Sequence, residues 1–476
     1  MSFIVYDLIF LVLFLIFFSV FLYTRRKNLK KDGLLFLYRS KWGINLINSI
    51  GKKNKKTLKF LSYVSIICGY LLMIGALYLV YGVVKIYIFE PAIVRAVKVF
   101  PLIPLFPYLP QVFNLKFLPP FYFTYWIIII AVVAITHEMA HGILMRRYNV
   151  KIKSTGFAFF PYFFPVFPAA FVEQDEKSME KSTKFHQLSI LSAGTFANLI
   201  TTFVFLVILI GFFSLAFAPA GIVYDTYATA AIPISGISMV NGMNVSNLSY
   251  NQLLSSTTSS GFTNITLGNM TYLTTKSTLE SQANNNGFAI VYYNSPAIKD
   301  NLSSIITEIN GVNVNSVQKL QTELSKYKPG ENITITELID NGTLNKLVTL
   351  EPRPDNQNVS WLGIGFFSNQ PSNFGQEVVG WFSSFRAPNV YYQPLLSSDI
   401  NTFIYNLLLW VIIISISVAF INMLPVGIFD GGRFFYLTVL GITGNENIAK
   451  KAFKFTTYLF LFILLVVVIF WFINTY

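Results

Sequence analysis

Trp126-Ile127-Ile128-Ile129-Ile130-Ala131-Val132-Val133-Ala134-Ile135-Thr136-His137-Glu138-Met139-Ala140-His141 is an apolar run that ends in three ionisable side chains. It belongs to a segment, 121–145, that at about 1.5 Å per residue is long enough to cross a hydrocarbon core of about 30 Å. Histidines at i and i+4 share one helical face, so both imidazoles reach a single metal ion. Glu138 stands beside them, placed to hold a water molecule at that ion and take its proton. A charged residue at mid-helix costs about 2.5–3.5 kcal/mol on insertion scales, which makes these groups functional candidates rather than helix glue. Arg146-Arg147 follow nine positions after His137 and mark a membrane face, roughly 14 Å from the motif.

Five more segments read as spanning helices: 3–23, 61–89, 187–216, 402–426 and 455–473. The composition agrees, with 54% hydrophobic and only 12% charged residues among 476 and a mean hydropathy of +0.55. A soluble domain carries about 25% charged residues, so an ordinary cytoplasmic enzyme and a disordered chain are both excluded. A single cysteine, Cys68, excludes an internal disulfide framework and a cysteine-based zinc cluster. The first segment lacks a positive leader and is followed by Arg25-Arg26-Lys27, the pattern of an uncleaved helix. Of 35 Lys and Arg, 12 lie in 24–60, seven in 146–186 and four in 432–454. A six-helix path puts all three loops on one side, which the positive-inside rule makes cytoplasmic. The net charge of +13 then faces the anionic lipid bilayer, and no nucleic-acid partner is needed to explain it.

The stretch 217–400 is polar, with 12 acidic against eight basic residues, and falls on the outer side as an insert between the fourth and fifth spanning segments. Eight Asn-x-Ser/Thr triplets, from Asn244 to Asn358, lie inside it, consistent with an extracytoplasmic position. Val240-Asn241-Gly242-Met243-Asn244-Val245 recurs 69 residues later as Ile309-Asn310-Gly311-Val312-Asn313-Val314. Each copy predicts strand, Asn-Gly turn, strand, then a short helix. The order resembles a PDZ domain, with Gly287-Phe288-Ala289-Ile290 as its peptide-binding loop. Two PDZ-like units, 217–286 and 287–352, would capture a peptide C-terminus by strand addition.

Two histidines need a third protein ligand. Glu173, Glu176 and His186 are available in or beside the polar stretch after the motif. Asp430 is the better candidate, in Asn422-Met423-Leu424-Pro425-Val426-Gly427-Ile428-Phe429-Asp430-Gly431-Gly432-Arg433. Pro425 and Gly427 interrupt the fifth segment at the face where the third also ends, and such irregular backbone is tolerated at membrane depth only where it is buried or lines a cavity.

The His-Glu-x-x-His helix, together with Asn422, Pro425, Asp430 and Gly431 in their spacing, resembles the site-2 protease family of intramembrane zinc metalloproteases. Ala169-Ala170-Phe171-Val172-Glu173 is similar to a short segment of that family, with Ala169 in place of a frequent Gly. Ser192-Ala193-Gly194-Thr195-Phe196-Ala197-Asn198 is similar to its Ala-Gly-Pro-x-x-Asn motif, with Thr195 in place of Pro. The resemblance covers about 121–435. It implies an all-α transmembrane core of about six helices with an inserted extracytoplasmic α+β, PDZ-like region, in a multi-pass cell-membrane protein. Implied domains are 1–120 (two helices with their basic and Pro-rich loops), 121–216 (first half of the core with an apolar hairpin), 217–286, 287–352, a linker 353–401, and 402–476 (the remainder of the core). It implies Zn2+ on His137, His141 and Asp430, Glu138 as base, and Asn422, Pro425, Gly431, Asn198 and Gly194 as substrate-binding positions. The substrate is then the transmembrane segment of a single-pass membrane protein, unwound and paired with the Pro-rich hairpin Thr155–Phe171. Two rival readings are a membrane-anchored zinc protease with a solvent-facing site that uses Glu173, and a non-catalytic PDZ-bearing receptor.

Overall fold

The computed structural model describes residues 3–475 except 33–34, 41–42, 102–105, 114, 116–117, 160–167, 259, 283–286, 340–341, 367–379 and 381–383. The chain divides into two units, one formed by Met1–Phe213 with Asp399–Tyr476, the other by Ser214–Ser398.

The first unit is helical. Its elements are α1 (Phe3–Thr24), α2 (Ile44–Lys53), α3 (Lys55–Phe89), the short α4 (Pro91–Val97) and α5 (Leu109–Val112), α6 (Phe123–Arg147), α7 (Glu176–Lys181) and α8 (Lys184–Ala216). The second unit contributes α9 (Tyr250–Ser255), α10 (Lys276–Glu280), α11 (Pro296–Lys299) and α12 (Val317–Leu324). The chain returns to the first unit with α13 (Ser398–Asn422), α14 (Asp430–Thr443) and α15 (Glu446–Thr475). Six of these, α1, α3, α6, α8, α13 and α15, are long and apolar enough to cross a membrane, and the protein is a multi-pass membrane protein.

Packing ranks these helices. Leu72 and Met73 of α3, Leu144 of α6, Ile190 of α8, Met423 beyond α13 and Phe434 of α14 join one core. Phe123, Trp126 and Ile129 of α6 meet Trp410 and Ile414 of α13 in a second. The helix carrying the His-Glu-x-x-His motif is therefore clamped on two sides. α1 turns its apolar side chains outward and fully buries one residue, Asp7. In lipid that pattern costs nothing for the apolar face and leaves Asp7 as the residue to be explained.

The loops read as 24–60 and 146–186 are not loops throughout. Strands β1 (Leu29–Asp32) and β2 (Leu35–Ser40) join β3 (Ile152–Phe159) and β4 (Pro168–Gln174) in a four-stranded antiparallel sheet of order β1-β2-β3-β4. The hairpin anticipated over Thr155–Phe171 is thus one end of a larger sheet, while Pro161 and Pro165 lie outside the described residues. α2 packs along α6, with Ile47 buried against Gly142. The fifth segment ends at Asn422 rather than 426, and the loop expected over 432–454 is largely helix. At 14 residues, about 21 Å long, α14 is too short to read as a span. Burial of Phe434 and Leu437 holds it in the core.

The second unit holds two main sheets and two strand pairs, β17-β18 and β19-β6, drawn from β5 (Phe217–Val223), β6 (Thr226–Tyr227), β7 (Thr229–Pro233), β8 (Met239–Val240), β9 (Met243–Asn244), β10 (Thr263–Leu267), β11 (Met270–Thr274), β12 (Phe288–Tyr293), β13 (Ile305–Ile309), β14 (Val312–Asn313), β15 (Asn332–Ile339), β16 (Gly342–Thr349), β17 (Glu351–Arg353), β18 (Asn356–Trp361), β19 (Ile364–Gly365) and β20 (Val390–Pro394). One sheet runs β7-β12-β11-β10-β8-β9. The other runs β16-β15-β13-β5-β20, with β14 on β13. Each has its own core, around Ile232, Ile265 and Val291 in the first and Ile306, Ile333 and Val348 in the second.

The sequence repeat is also a structural one. Both Asn-Gly pairs have positive φ at both residues (50° and 78°; 45° and 79°), as a two-residue hairpin turn of the primed type requires. The side-chain oxygen of Asn241 accepts from the Asn264 N–H and that of Asn310 from the Thr334 N–H, at 3.0 and 2.7 Å. The unit boundaries differ from expectation. Gly287-Phe288-Ala289-Ile290 does not form a loop of the second sheet, because Phe288 opens β12, which sits between β7 and β11 in the first sheet. Ala289 and Val291 alternate into the first core, and that burial fixes the strand's side. Conversely β5, from the start of the insert, and β20, from the stretch read as linker, close the second sheet.

Candidate metal centre

The His137 and His141 rings lie on one face of α6 with centroids 4.7 Å apart. Their Nε2 atoms are 3.1 Å apart, and each is 3.3 Å from the same Asp430 oxygen, Oδ2. Tetrahedral zinc with bonds of about 2.0–2.1 Å sets its ligand atoms about 3.3 Å from one another. The three donors therefore already stand at the separations one such ion demands. They form a group of ligand atoms all within 4.8 Å of each other.

The groups behind the rings fit the same ion. His141 Nδ1–H donates to the Ile190 carbonyl at 2.6 Å, which leaves Nε2 as the lone-pair nitrogen. His137 Nδ1 faces the Asn198 side-chain amide at 3.1 Å. Asn198 is fully buried and its Oδ1 has no hydrogen-bond partner among the described residues. Turning the amide over places that oxygen on His137 Nδ1–H and repeats the arrangement at His141. Asn198, expected at a substrate strand, stands against the His137 ring.

Glycine at 194 makes room for both rings. A Cβ there would lie 2.3 Å from His141 Nε2 and 2.5 Å from His137 Nε2. Gly194 is thus a packing requirement of the centre.

Asp430 arrives through the break after α13. Pro425 lacks an N–H and ends the helix, and successive tight turns carry the chain to Phe429, the N-cap of α14. The turn folds so closely that a Cβ on Gly431 would meet the Met423 and Leu424 backbone at 2.4–2.5 Å. Asp430 follows as the first residue of α14, where a carboxylate also suits the helix dipole. Asn422 is the half-buried last residue of α13 and Pro425 is buried in the turn.

The other ligand candidates are engaged elsewhere. Glu173 accepts from Ser154 at 2.6 Å and pairs with Arg39 at 3.0 Å. Glu176 pairs with Arg433 at 2.9 Å, and His186 stacks on Tyr148 with centroids 3.9 Å apart.

Glu138 points away from the ligand cluster's backing groups and toward β4, where its Oε2 accepts the Val172 N–H at 2.9 Å. A cavity beside it is lined by Ile135, Glu138, Met139, Thr155 and Phe171. Sequence reasoning missed the Ile190 carbonyl and the Val172 N–H, because backbone groups carry no residue signature. The contact between Asn198 and His137 was legible only once the rings had been placed.

The profile of peptidase family M50 matches residues 125–362 and 373–467. A zinc metalloprotease, RasP, from Shouchella clausii (strain KSM-K16) is 28% identical over 205 residues, covering 37% of this chain and 48% of the relative. The chain therefore spans about half the length of that curated relative. With the donor set fitting Zn2+ and the profile matching on both sides of the insert, the chain belongs to peptidase family M50, the site-2 protease family of membrane zinc metalloproteases.

Proposed function

We propose that the protein hydrolyses a peptide bond within or next to the transmembrane segment of a single-pass membrane protein. The observation that carries this reading is the position of Glu138. It stands beside the His-His-Asp cluster on a spanning helix, and its carboxylate meets β4, the last strand of its sheet. A spanning helix hides its peptide bonds, and unwinding it in lipid leaves polar groups unpaired at several kcal/mol each, on the order given by transfer data. The outer edge of β4 supplies partners to an extended segment as an added strand. His137, His141 and Asp430 would hold Zn2+, which would supply Lewis-acid polarisation of the scissile carbonyl. Glu138 releases the Val172 N–H, takes a proton from water and returns it to the departing amine. Asn422, at the half-buried end of α13, offers its amide to the same segment.

The charge count supports a site toward the cytoplasmic side and an extracytoplasmic second unit. The two Asn-Gly hairpins and separate cores support reading that unit as two PDZ-like modules with interleaved strands. These would take a peptide C-terminus at a free sheet edge, and β7, β9, β16 and β20 end their sheets among the described residues.

The test compares membrane proteomes of cells that express the parent chain or Glu138→Gln. Single-pass proteins should accumulate uncut in the variant, and parental cleavage sites should map inside or beside apolar segments. Cleavage confined to soluble loops would favour the solvent-facing protease instead.

A further inference from the structure

Asp7 is the one fully buried residue of α1, a carboxylate in an otherwise apolar spanning helix. It accepts four hydrogen bonds. Tyr108 Oη–H donates to Oδ2 at 2.5 Å and the Phe123 N–H to the same oxygen at 2.8 Å. The Thr124 N–H and hydroxyl donate to Oδ1 at 2.9 and 2.5 Å. Phe123 and Thr124 are the first two residues of α6. The first N–H groups of any helix lack internal partners, and a side-chain oxygen at the N-cap normally takes one of them. Here the N-cap is Tyr122, whose side chain makes no cap hydrogen bond. The cap is delivered from another helix.

The surroundings fix the same end. Tyr108 N–H donates to the Phe121 carbonyl at 2.6 Å, the Gln111 side chain accepts from Phe121 N–H at 3.2 Å, and Trp410 Nε1–H donates to the Pro120 carbonyl at 3.1 Å. Phe10 and Phe14 of α1 pack on Phe123 with centroids 5.7 and 5.4 Å apart. The negative charge also faces the positive end of the α6 dipole.

We infer that Asp7 is a positioning residue for the reaction. It sets the axial position and tilt of α6, and so places His137, His141 and Glu138 against Asp430. From Thr124 to His137 is about 20 Å of continuous helix, short enough for the helix to carry the placement as a rigid body. α1 then belongs to the working core rather than to a peripheral anchor. The inference rests on α6 bearing the reacting groups. Absence of peptidase activity in the parent would sink the peptidase reading alone, since zinc affinity and amide exchange still report on α6.

The test uses the full-length protein as Asp7→Asn, Asp7→Leu and the double variant Asp7→Leu/Tyr122→Asp, which puts a local carboxylate at the N-cap. Asp7→Leu should lower kcat about tenfold with KM within about twofold, weaken zinc binding about tenfold, and speed exchange of the Phe123 and Thr124 amides at least tenfold. Asp7→Asn should fall between it and the parent. The double variant should recover most of all three. Unchanged kcat and zinc affinity in Asp7→Leu, even with faster exchange, would overturn the inference, and so would failure of the double variant to recover. If Asp7→Leu does not accumulate, the double variant decides: parent-like accumulation and kcat support the role, and continued loss contradicts it.

Discussion

Purified Glu138→Gln protein is expected to keep its full zinc complement and to lose peptide-bond cleavage by roughly 10³-fold, in the range general acid–base catalysis commonly contributes. Glutamine preserves shape and still accepts the Val172 N–H through its amide oxygen, so the contact at 2.9 Å survives. It can neither take a proton from water nor return one to an amine. The metal donors are other residues, so zinc measured by elemental analysis should not change. A loss of zinc in parallel with activity would assign Glu138 to the ligand set. Retained cleavage of a membrane substrate would remove it from the chemistry.

The second large effect is expected from Gly194→Ala. One added methyl would stand 2.3–2.5 Å from ring atoms of both His137 and His141. The rings have little freedom to retreat, because the Ile190 carbonyl holds one and the Asn198 amide the other. Overpacking of this kind typically costs about 1–3 kcal/mol. Here the strain falls on the donors, so bound zinc should drop to under about a tenth of the parent's while the helices remain folded by circular dichroism. Gly211→Ala is the control in the same helix, where an added methyl meets nothing within 4 Å, and zinc content should be unaffected. Normal zinc in Gly194→Ala would show that the centre is looser than these contacts imply.

What could be read in advance divides by the range of the interaction. The His137–His141 pair depends on helical spacing alone, and spacing is local. Asp430 was legible because Pro425 and the paired glycines mark a broken helix at a specific membrane face. The sheet that receives β4 was not, since β1 and β2 lie in a lysine-rich stretch and β2 meets β3 more than a hundred residues away. β12 was given to the wrong sheet for a related reason. A short apolar strand preceded by glycine reads equally well as a loop until its pairing with β7 is known. The contact of Asn198 with His137 was not legible, because an amide reads the same whether it faces a substrate or an imidazole. Asp7 stood openly in an apolar run, yet its partners sit 101–117 positions further along, and nothing local names them.

Zinc content measured side by side in Asp430→Asn and Glu173→Gln tests the central claim most directly. The account predicts near-stoichiometric zinc in Glu173→Gln, whose carboxylate is occupied by Arg39 and Ser154, and a loss of most zinc in Asp430→Asn. Full zinc in Asp430→Asn with depletion in Glu173→Gln would contradict it.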